Sequence, residues 1–324
     1  MKRARQTVLQ LINRGVIAPK DAEQAMVVAG IVPDEHAWGR FGRNVLLSLG
    51  VASTVLGVIF FVAFNWDALG RIGKFALVEI VLILSMVPLL WRDRFTRTGQ
   101  MALLSVSVLT GALLALYGQV YQTGADPWQL FAMWALLILP WVGWARLEAL
   151  WLVWIAITNV AIVLWAAASP LKIGVLLGPT IAPALSALLL DAVVLVVWEL
   201  HLQRSGSTHR FGVRVVAILT GVAATLIAIN AIMEHRISIA WLGVWIVWMG
   251  LLCTLYRQYL RDLFVLVGGC LSGLIVVTAL GIRLIISGRV PDVIGFWLLA
   301  FVIIGIASWA STWLRSIARL WRES

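Results

Sequence analysis

The chain has few charged residues. Only 12% of its 324 residues are Asp, Glu, Lys or Arg, about half of the roughly 25% that is typical of soluble domains. This shortage excludes an ordinary water-soluble enzyme. A hydrophobic content of 62% also excludes a disordered chain, because disorder requires low hydrophobicity.

Cysteine and histidine are scarce as well. Cys253 and Cys270 both lie in apolar runs, which excludes a disulfide framework and favours packing roles. The four histidines lack metal-ligand spacing, and HExxH, GxSxG and Walker motifs are absent. We therefore predict no metal, no cofactor and no enzymatic activity, although intramembrane carboxylates leave a membrane enzyme as a third alternative.

Long apolar runs make up most of the chain. A helix needs about 20 apolar residues to cross the hydrocarbon core of a bilayer, and ten runs approach or exceed that length. They are residues 44–64, 74–91, 101–121, 128–145, 147–168, 184–202, 211–231, 238–256, 263–287 and 293–314. The sequence therefore predicts an all-α, polytopic integral membrane protein with ten spans.

The remaining segments divide the chain further. We expect a cytoplasmic helical hairpin at 1–40, spans 1–5 at 41–168, spans 6–10 at 184–314 and a cytoplasmic amphipathic tail at 315–324. Three prolines, Pro170, Pro179 and Pro183, break the apolar stretch 169–183. That stretch is predicted to be an interfacial or re-entrant segment.

The distribution of Lys and Arg predicts the orientation. With the N-terminus in the cytoplasm, 19 of the 25 Lys and Arg residues fall on the inside, as the positive-inside rule requires. Both termini are then cytoplasmic. The net charge of +10 is explained by this topology, so we expect the lipid bilayer as a partner and no nucleic acid.

Short matches indicate an internal repeat. Phe41-Gly42 before span 1 recurs as Phe211-Gly212 before span 7. A parallel repeat would relate spans 1–4 to spans 7–10, as in some transporters. An inverted five-plus-five arrangement is also allowed by the count.

Polar residues at membrane depth are the candidate functional residues, because they are costly there and usually face a cavity or a partner. Most fall in the predicted outer half. The candidate substrate-binding residues are Asn65, Asp67, Glu79, Gln119, Gln122, Asp126, Asp191 and Arg283.

Three interpretations of these residues remain open. An outward-facing polar pocket could use Glu79 or Asp191 to bind a cation, a proton or a polar substrate. A buried pair of Arg283 with a carboxylate could instead order the helices. Alternatively, Glu79 and Arg283 could simply extend to the lipid headgroups.

Several motifs resemble one family. Asn65-Trp66, Lys74 at the start of span 2, Gly118-Gln119-Val120-Tyr121-Gln122, Asp126-Pro127-Trp128 and Arg14-Gly15-Val16-Ile17 are similar to the prokaryotic membrane proteins of the domain-of-unknown-function family numbered 2157. The resemblance covers roughly residues 5–165. It implies a protein of the bacterial cytoplasmic (inner) membrane and no particular activity or ligand.

Two functions follow from these observations. The first is transport of a small solute or an ion. The alternative is a membrane sensor or scaffold that binds a protein partner through its N-terminal hairpin.

The predicted topology can be tested with reporter fusions at both ends of the chain. Green fluorescent protein should fluoresce at both ends and alkaline phosphatase should be inactive at both, since each reporter would remain in the cytoplasm. Phosphatase inserted after Gly124, in a predicted outer loop, should be active. An active phosphatase at either terminus would contradict the prediction.

Overall fold

The structure is a computed structural model and describes residues 2–30, 32–168, 181–206, 209–234, 237–288 and 291–323. Within these ranges the regular elements are all helical. The chain forms two compact units, Met1–Val120 and Tyr121–Ser324. Their boundary falls at the last residue of the predicted span 3. Each unit is described separately.

The ten predicted spans are confirmed. Ten helices in the described ranges are long and apolar enough to cross a membrane. In chain order, spans 1 to 10 are Glu35–Phe64, Arg71–Trp91, Arg97–Tyr121, Pro127–Ala145, Glu148–Ala168, Ile181–Ser205, Phe211–Met233, Ile239–Tyr259, Leu263–Ile286 and Val293–Arg322. The protein is therefore an all-α, multi-pass membrane protein. We call the end of a span that the charge bias assigns to the cytoplasm its inner end.

Unit 1 begins with two short helices, α1 (Lys2–Asn13) and α2 (Ala22–Val28), which pack on each other. Gly15 follows α1 with a φ of +71°, a conformation that glycine adopts without strain. The Asp34 carboxylate then caps span 1 by accepting a hydrogen bond from the Ala37 amide at 2.6 Å. The span 1 helix starts at Glu35, so the predicted segment 1–40 includes its first residues.

Spans 1 to 3 share one small core. Val55 and Val62 of span 1 meet Val78 of span 2, and Leu109 and Leu116 of span 3 complete the cluster. Span 2 is interrupted near its inner end, where one helical segment ends at Met86 and another runs from Pro88 to Trp91. Proline lacks the amide hydrogen that would continue the helical ladder.

Unit 2 contains spans 4 to 10, with span 7 the most buried. Spans 4 and 5 form a tight helical hairpin, and Arg146 makes the turn with a φ of +47°. Span 7 packs against spans 5, 6, 8 and 9. Its inward face is rich in small residues such as Ala224, Ala228 and Ala231, all fully buried, which lets neighbouring helices approach closely.

Two further predicted segments lie in the second half, at 169–183 and 315–324. Residues 169–180 of the predicted re-entrant segment lie outside the described ranges, and Pro183 belongs to the first turn of the span 6 helix. The predicted separate tail at 315–324 continues the helix Asp292–Glu323. Buried Ile317 anchors this extension in a cluster with Leu266 and Tyr256.

Gly212, at the start of span 7, is predicted to tolerate no side chain. A Cβ atom there would overlap the Trp198 ring and lie 2.6 Å from Glu148 Oε1. Gly212→Ala should therefore cost about 1–3 kcal/mol through overpacking, seen as a lower midpoint of thermal unfolding in detergent. Gly243→Ala is the matched control, because a Cβ there meets nothing within 4 Å. Equal midpoints for the two variants would refute the prediction.

Candidate functional site

Four of the predicted site residues lie in unit 1. Asn65 caps the end of span 1, where its Nδ2 donates to the Phe61 carbonyl at 2.9 Å. Asp67, Glu79 and Gln119 are exposed. Asn65 therefore fits the structural explanation of a helix cap, and the exposed Glu79 is compatible with extension to the headgroups.

The other four lie in unit 2. Gln122 and Asp126 are exposed, and Asp126 occupies the N-cap of span 4. Arg283 donates to the backbone carbonyls of Met233 at 3.2 Å and Glu234 at 2.6 Å. These bonds satisfy carbonyl groups at the end of span 7, which would otherwise lack partners. Arg283 therefore stabilises a helix end.

Asp191 is different because it is buried inside the bilayer region. It is 2% exposed, and its Oδ1 accepts a hydrogen bond from Asn159 Nδ2 of span 5 at 2.7 Å. Asn159 also donates to the carbonyl of Ile155, one turn earlier. A carboxylate and an amide thus join spans 5 and 6 at depth, where polar groups are rare and usually functional.

A cavity of about 880 Å³ lies between the inner halves of these two spans. Its volume is within the range of about 300–1,000 Å³ that is usual for small-molecule sites. Its lining combines tryptophans, aliphatic side chains and a few polar groups. These residues are Arg146, Glu148, Trp151, Trp154, Ile155, Val193, Val194, Val197, Trp198, His201, Leu202, Ser205 and His209.

The cavity follows about the inner half of span 6. Ser205 and Val193 both line it and are about 18 Å apart along a helix that rises about 1.5 Å per residue. Half of the hydrocarbon core measures about 15 Å. Asp191 precedes Val193 by two residues, and Asn159 lies one turn beyond Ile155. The Asp191–Asn159 pair therefore lies just past the deep end of the cavity.

Next to the cavity, the inner ends of spans 6 to 9 are joined by a network of four charged residues and one tyrosine. Arg210 lies at its centre and donates from Nη2 to Glu199 and from Nε to Asp262 at 2.8 Å. Arg214 adds two hydrogen bonds to Asp262, at 3.1 and 3.2 Å. The Tyr256 hydroxyl donates to Glu199 Oε1 at 2.8 Å.

Each part of the network has a local origin. Asp262 is the N-cap of span 9 and accepts from the Phe264 amide at 3.0 Å. Arg210 immediately precedes the span 7 helix, and Arg214 lies one turn later. Tyr256 belongs to a π-helical turn, Leu255–Tyr259, at the end of span 8. Such turns widen a helix locally and are frequent at functional sites.

The buried carboxylates in the network are compensated by the arginines. The Asp262 side chain is only 1% exposed, and this burial raises its pKa. The hydrogen bonds and charges of Arg214 and Arg210 outweigh that effect, so the pKa of Asp262 lies below its ordinary value of 3.8.

In unit 1, Trp66 and Lys74 are in contact. The Lys74 ammonium group lies 3.7 Å from the centroid of the Trp66 ring, and Lys74 is buried. This cation–π contact joins the loop after span 1 to the first turn of span 2. The contact therefore gives a structural reason for Trp66 and Lys74, two of the residues on which the family resemblance is based.

The family model agrees with that pattern. Residues 9–151 match the family Predicted membrane protein (DUF2157). The match confirms the resemblance and carries no activity or ligand. No curated protein and no solved structure shows significant similarity to the chain.

The DUF2157 match ends at residue 151 and includes only the first part of the cavity lining. Most of the cavity and the whole charge network lie beyond it. None of the five network residues is among the eight site residues predicted from the sequence. The sequence does contain one signal for the network. Two acidic residues, Glu199 and Asp262, lie near span ends whose other charged residues are mostly arginines.

The described residues contain no group of three or more His, Cys, Asp or Glu side chains that could hold a metal ion. The cavity and its adjoining charge network are thus the best candidate site in unit 2, and organic ligands fit its lining better than metal ions do.

The charge network should make stability depend on pH. Because the pKa of Asp262 is lowered in the folded state, its contribution is fully present above the ordinary value of 3.8 and is lost as the pH falls below it. Asp262→Asn should lower stability at neutral pH by about 1–3 kcal/mol, because Arg214 loses its counterion and Arg210 keeps only Glu199.

Thermal unfolding in detergent at pH 7, 5 and 3 would measure both effects. The difference between Asp262→Asn and the parent chain should shrink at pH 3. Asp126→Asn, at an exposed position, serves as the control and should match the parent throughout. A constant difference across the pH range would argue against this role for Asp262.

Proposed function

We propose that this protein is a transporter of small organic cations in the bacterial inner membrane. The observation that carries the proposal is the tryptophan-lined cavity that extends from the inner ends of spans 5 and 6 to the buried Asp191–Asn159 pair. Transporters commonly hold their substrate near the bilayer midplane, between helices, beside a polar group that is costly to keep there.

The lining favours a cation with an apolar or aromatic body. Trp151, Trp154 and Trp198 present ring surfaces that attract positive charge. Trp154 is held in place, since its Nε1 donates to the Ala135 carbonyl at 3.0 Å. Asp191 lies beyond the deep end, and its carboxyl group, when ionised, attracts a cation more strongly because its surroundings are of low polarity.

The inner end of the cavity is lined by polar side chains, which suits exchange of a solute with the aqueous phase. Arg146, His201, Ser205 and His209 lie where the charge bias places the cytoplasm. Glu148 accepts a hydrogen bond from the Gly212 amide, which ties the cavity rim to span 7. In this arrangement the polar end of the cavity lies on the inside, and Asp191 supplies a carboxyl group just past its deep end.

The proposal predicts that filling the cavity blocks binding. Val196 and Val197 are adjacent on span 6 and are 57% and 61% exposed, but only Val197 lines the cavity. Val197→Phe should weaken binding of ethidium, a fluorescent aromatic cation, at least tenfold in lipid nanodiscs. Val196→Phe should remain within twofold of the parent. Equal affinities for the two variants would refute the cavity as the binding site.

Two further measurements separate binding from transport. Asp191→Asn keeps a hydrogen-bonding group for Asn159 but removes the negative charge, so it should also weaken ethidium binding. Proteoliposomes should take up ethidium faster than protein-free vesicles. Binding at the cavity without such uptake would refute transport and favour the sensor function.

The sensor or scaffold alternative is supported by the N-terminal helices. The hairpin α1–α2 buries Val8, while Val16 and Val28 remain 69% and 85% exposed. Apolar side chains outside the spans need the membrane surface or a protein partner to cover them. If deleting residues 1–30 leaves ethidium uptake unchanged, the hairpin is not part of the transport machinery.

A further inference from the structure

A second hollow lies on the surface of unit 2, between spans 7, 8 and 9. It has a volume of about 310 Å³. Glycines form much of its floor, including Gly221 of span 7 and Gly268 and Gly269 of span 9. Because these residues lack side chains, the three helices leave a narrow groove between them.

The groove is long and follows the axis of span 7. Its lining runs from Arg214 to Ile229 on that helix, a distance of about 22 Å at a rise of about 1.5 Å per residue. One leaflet of the hydrocarbon core is about 15 Å thick. The groove can therefore hold an extended acyl chain over the full depth of the inner leaflet.

The polar atoms in the floor of the groove are already satisfied. The hydroxyls of Thr225 and Ser272 are hydrogen-bonded to each other at 2.7 Å. Ser272 also accepts from Trp245 Nε1 at 3.0 Å, and Thr225 donates to the Gly221 carbonyl. The groove consequently offers a hydrocarbon chain an apolar surface with no desolvation cost from these hydroxyls.

One partly exposed guanidinium group, that of Arg214, lies at the inner end of the groove. The Arg214 side chain is 43% exposed although it contacts Asp262, and its guanidinium carbon lies 5.4 Å from the Phe264 ring centroid. Basic hollows between transmembrane helices on the cytoplasmic side favour anionic lipid headgroups.

We propose that this groove binds one phospholipid of the inner leaflet, with an acyl chain between spans 7, 8 and 9 and the phosphate at Arg214. A lipid fits better than a helix, because the groove is narrow and its charge is confined to one end. This lipid site is separate from the cavity at spans 5 and 6 and does not depend on the proposed transport.

The test fills the groove at a position that can accept a side chain. A Cβ at Gly268 meets nothing within 4 Å, and the same is true of Gly273, which does not line the groove. Gly268→Leu should reduce retained phosphatidylglycerol at least fivefold, measured by native mass spectrometry after extraction from vesicles of phosphatidylglycerol and phosphatidylcholine. Gly273→Leu should retain as much as the parent, and the parent should prefer phosphatidylglycerol.

Three outcomes would overturn the proposal. Equal retention by the two variants would exclude the groove as the site. Equal retention of the two lipids by the parent would exclude the contribution of Arg214. A loss of dimers in Gly268→Leu alone would show that a second copy of the chain occupies the groove instead.

Discussion

A carboxylate removed from water must be met by hydrogen-bond donors or positive charge, and the inner half of unit 2 is organised by that requirement. Glu199 and Asp262 are both buried, and Arg210 contacts both of them. Breaking such a pair leaves an uncompensated charge, which costs far more than an exposed ion pair contributes. Compensation is incomplete at one atom, since Glu199 Oε2 is buried without a hydrogen-bond partner in the described part of the chain.

The network determines which helices can hold fixed positions. It links the inner end of span 6 to the start of span 7, and the Asp262 and Tyr256 contacts extend it to spans 9 and 8. Hydrophobic attraction between helices is weak inside a bilayer, so polar contacts and close packing carry much of their association. The wall of the cavity formed by span 6 is therefore anchored, because Trp198 and Glu199 are neighbours on one helix.

The sequence was sufficient for the features that depend on local physics. Apolar run length predicted the ten spans. Contacts between distant residues could not be predicted in this way. The pattern could not show that Arg283 would meet backbone carbonyls fifty residues away, nor that Asp262 would join two arginines. Nor could the pattern show that the predicted amphipathic tail would continue the span 10 helix to residue 323, with buried Ile317 packed against Leu266 and Tyr256.

The helices around the cavity are joined by different kinds of contact at its inner end and at its deep end, and this difference indicates which helices could move. At its inner side, charged groups bind span 6 firmly to spans 7 and 9. Spans 5 and 6 are joined at depth by the Asn159–Asp191 hydrogen bond, and span 5 reaches span 7 through Glu148 and the Gly212 amide. Single hydrogen bonds are much easier to exchange than a buried charge network. Under the proposed transport function, a rearrangement would therefore move the hairpin of spans 4 and 5 against spans 6 to 9, with Asp191 on the boundary between them.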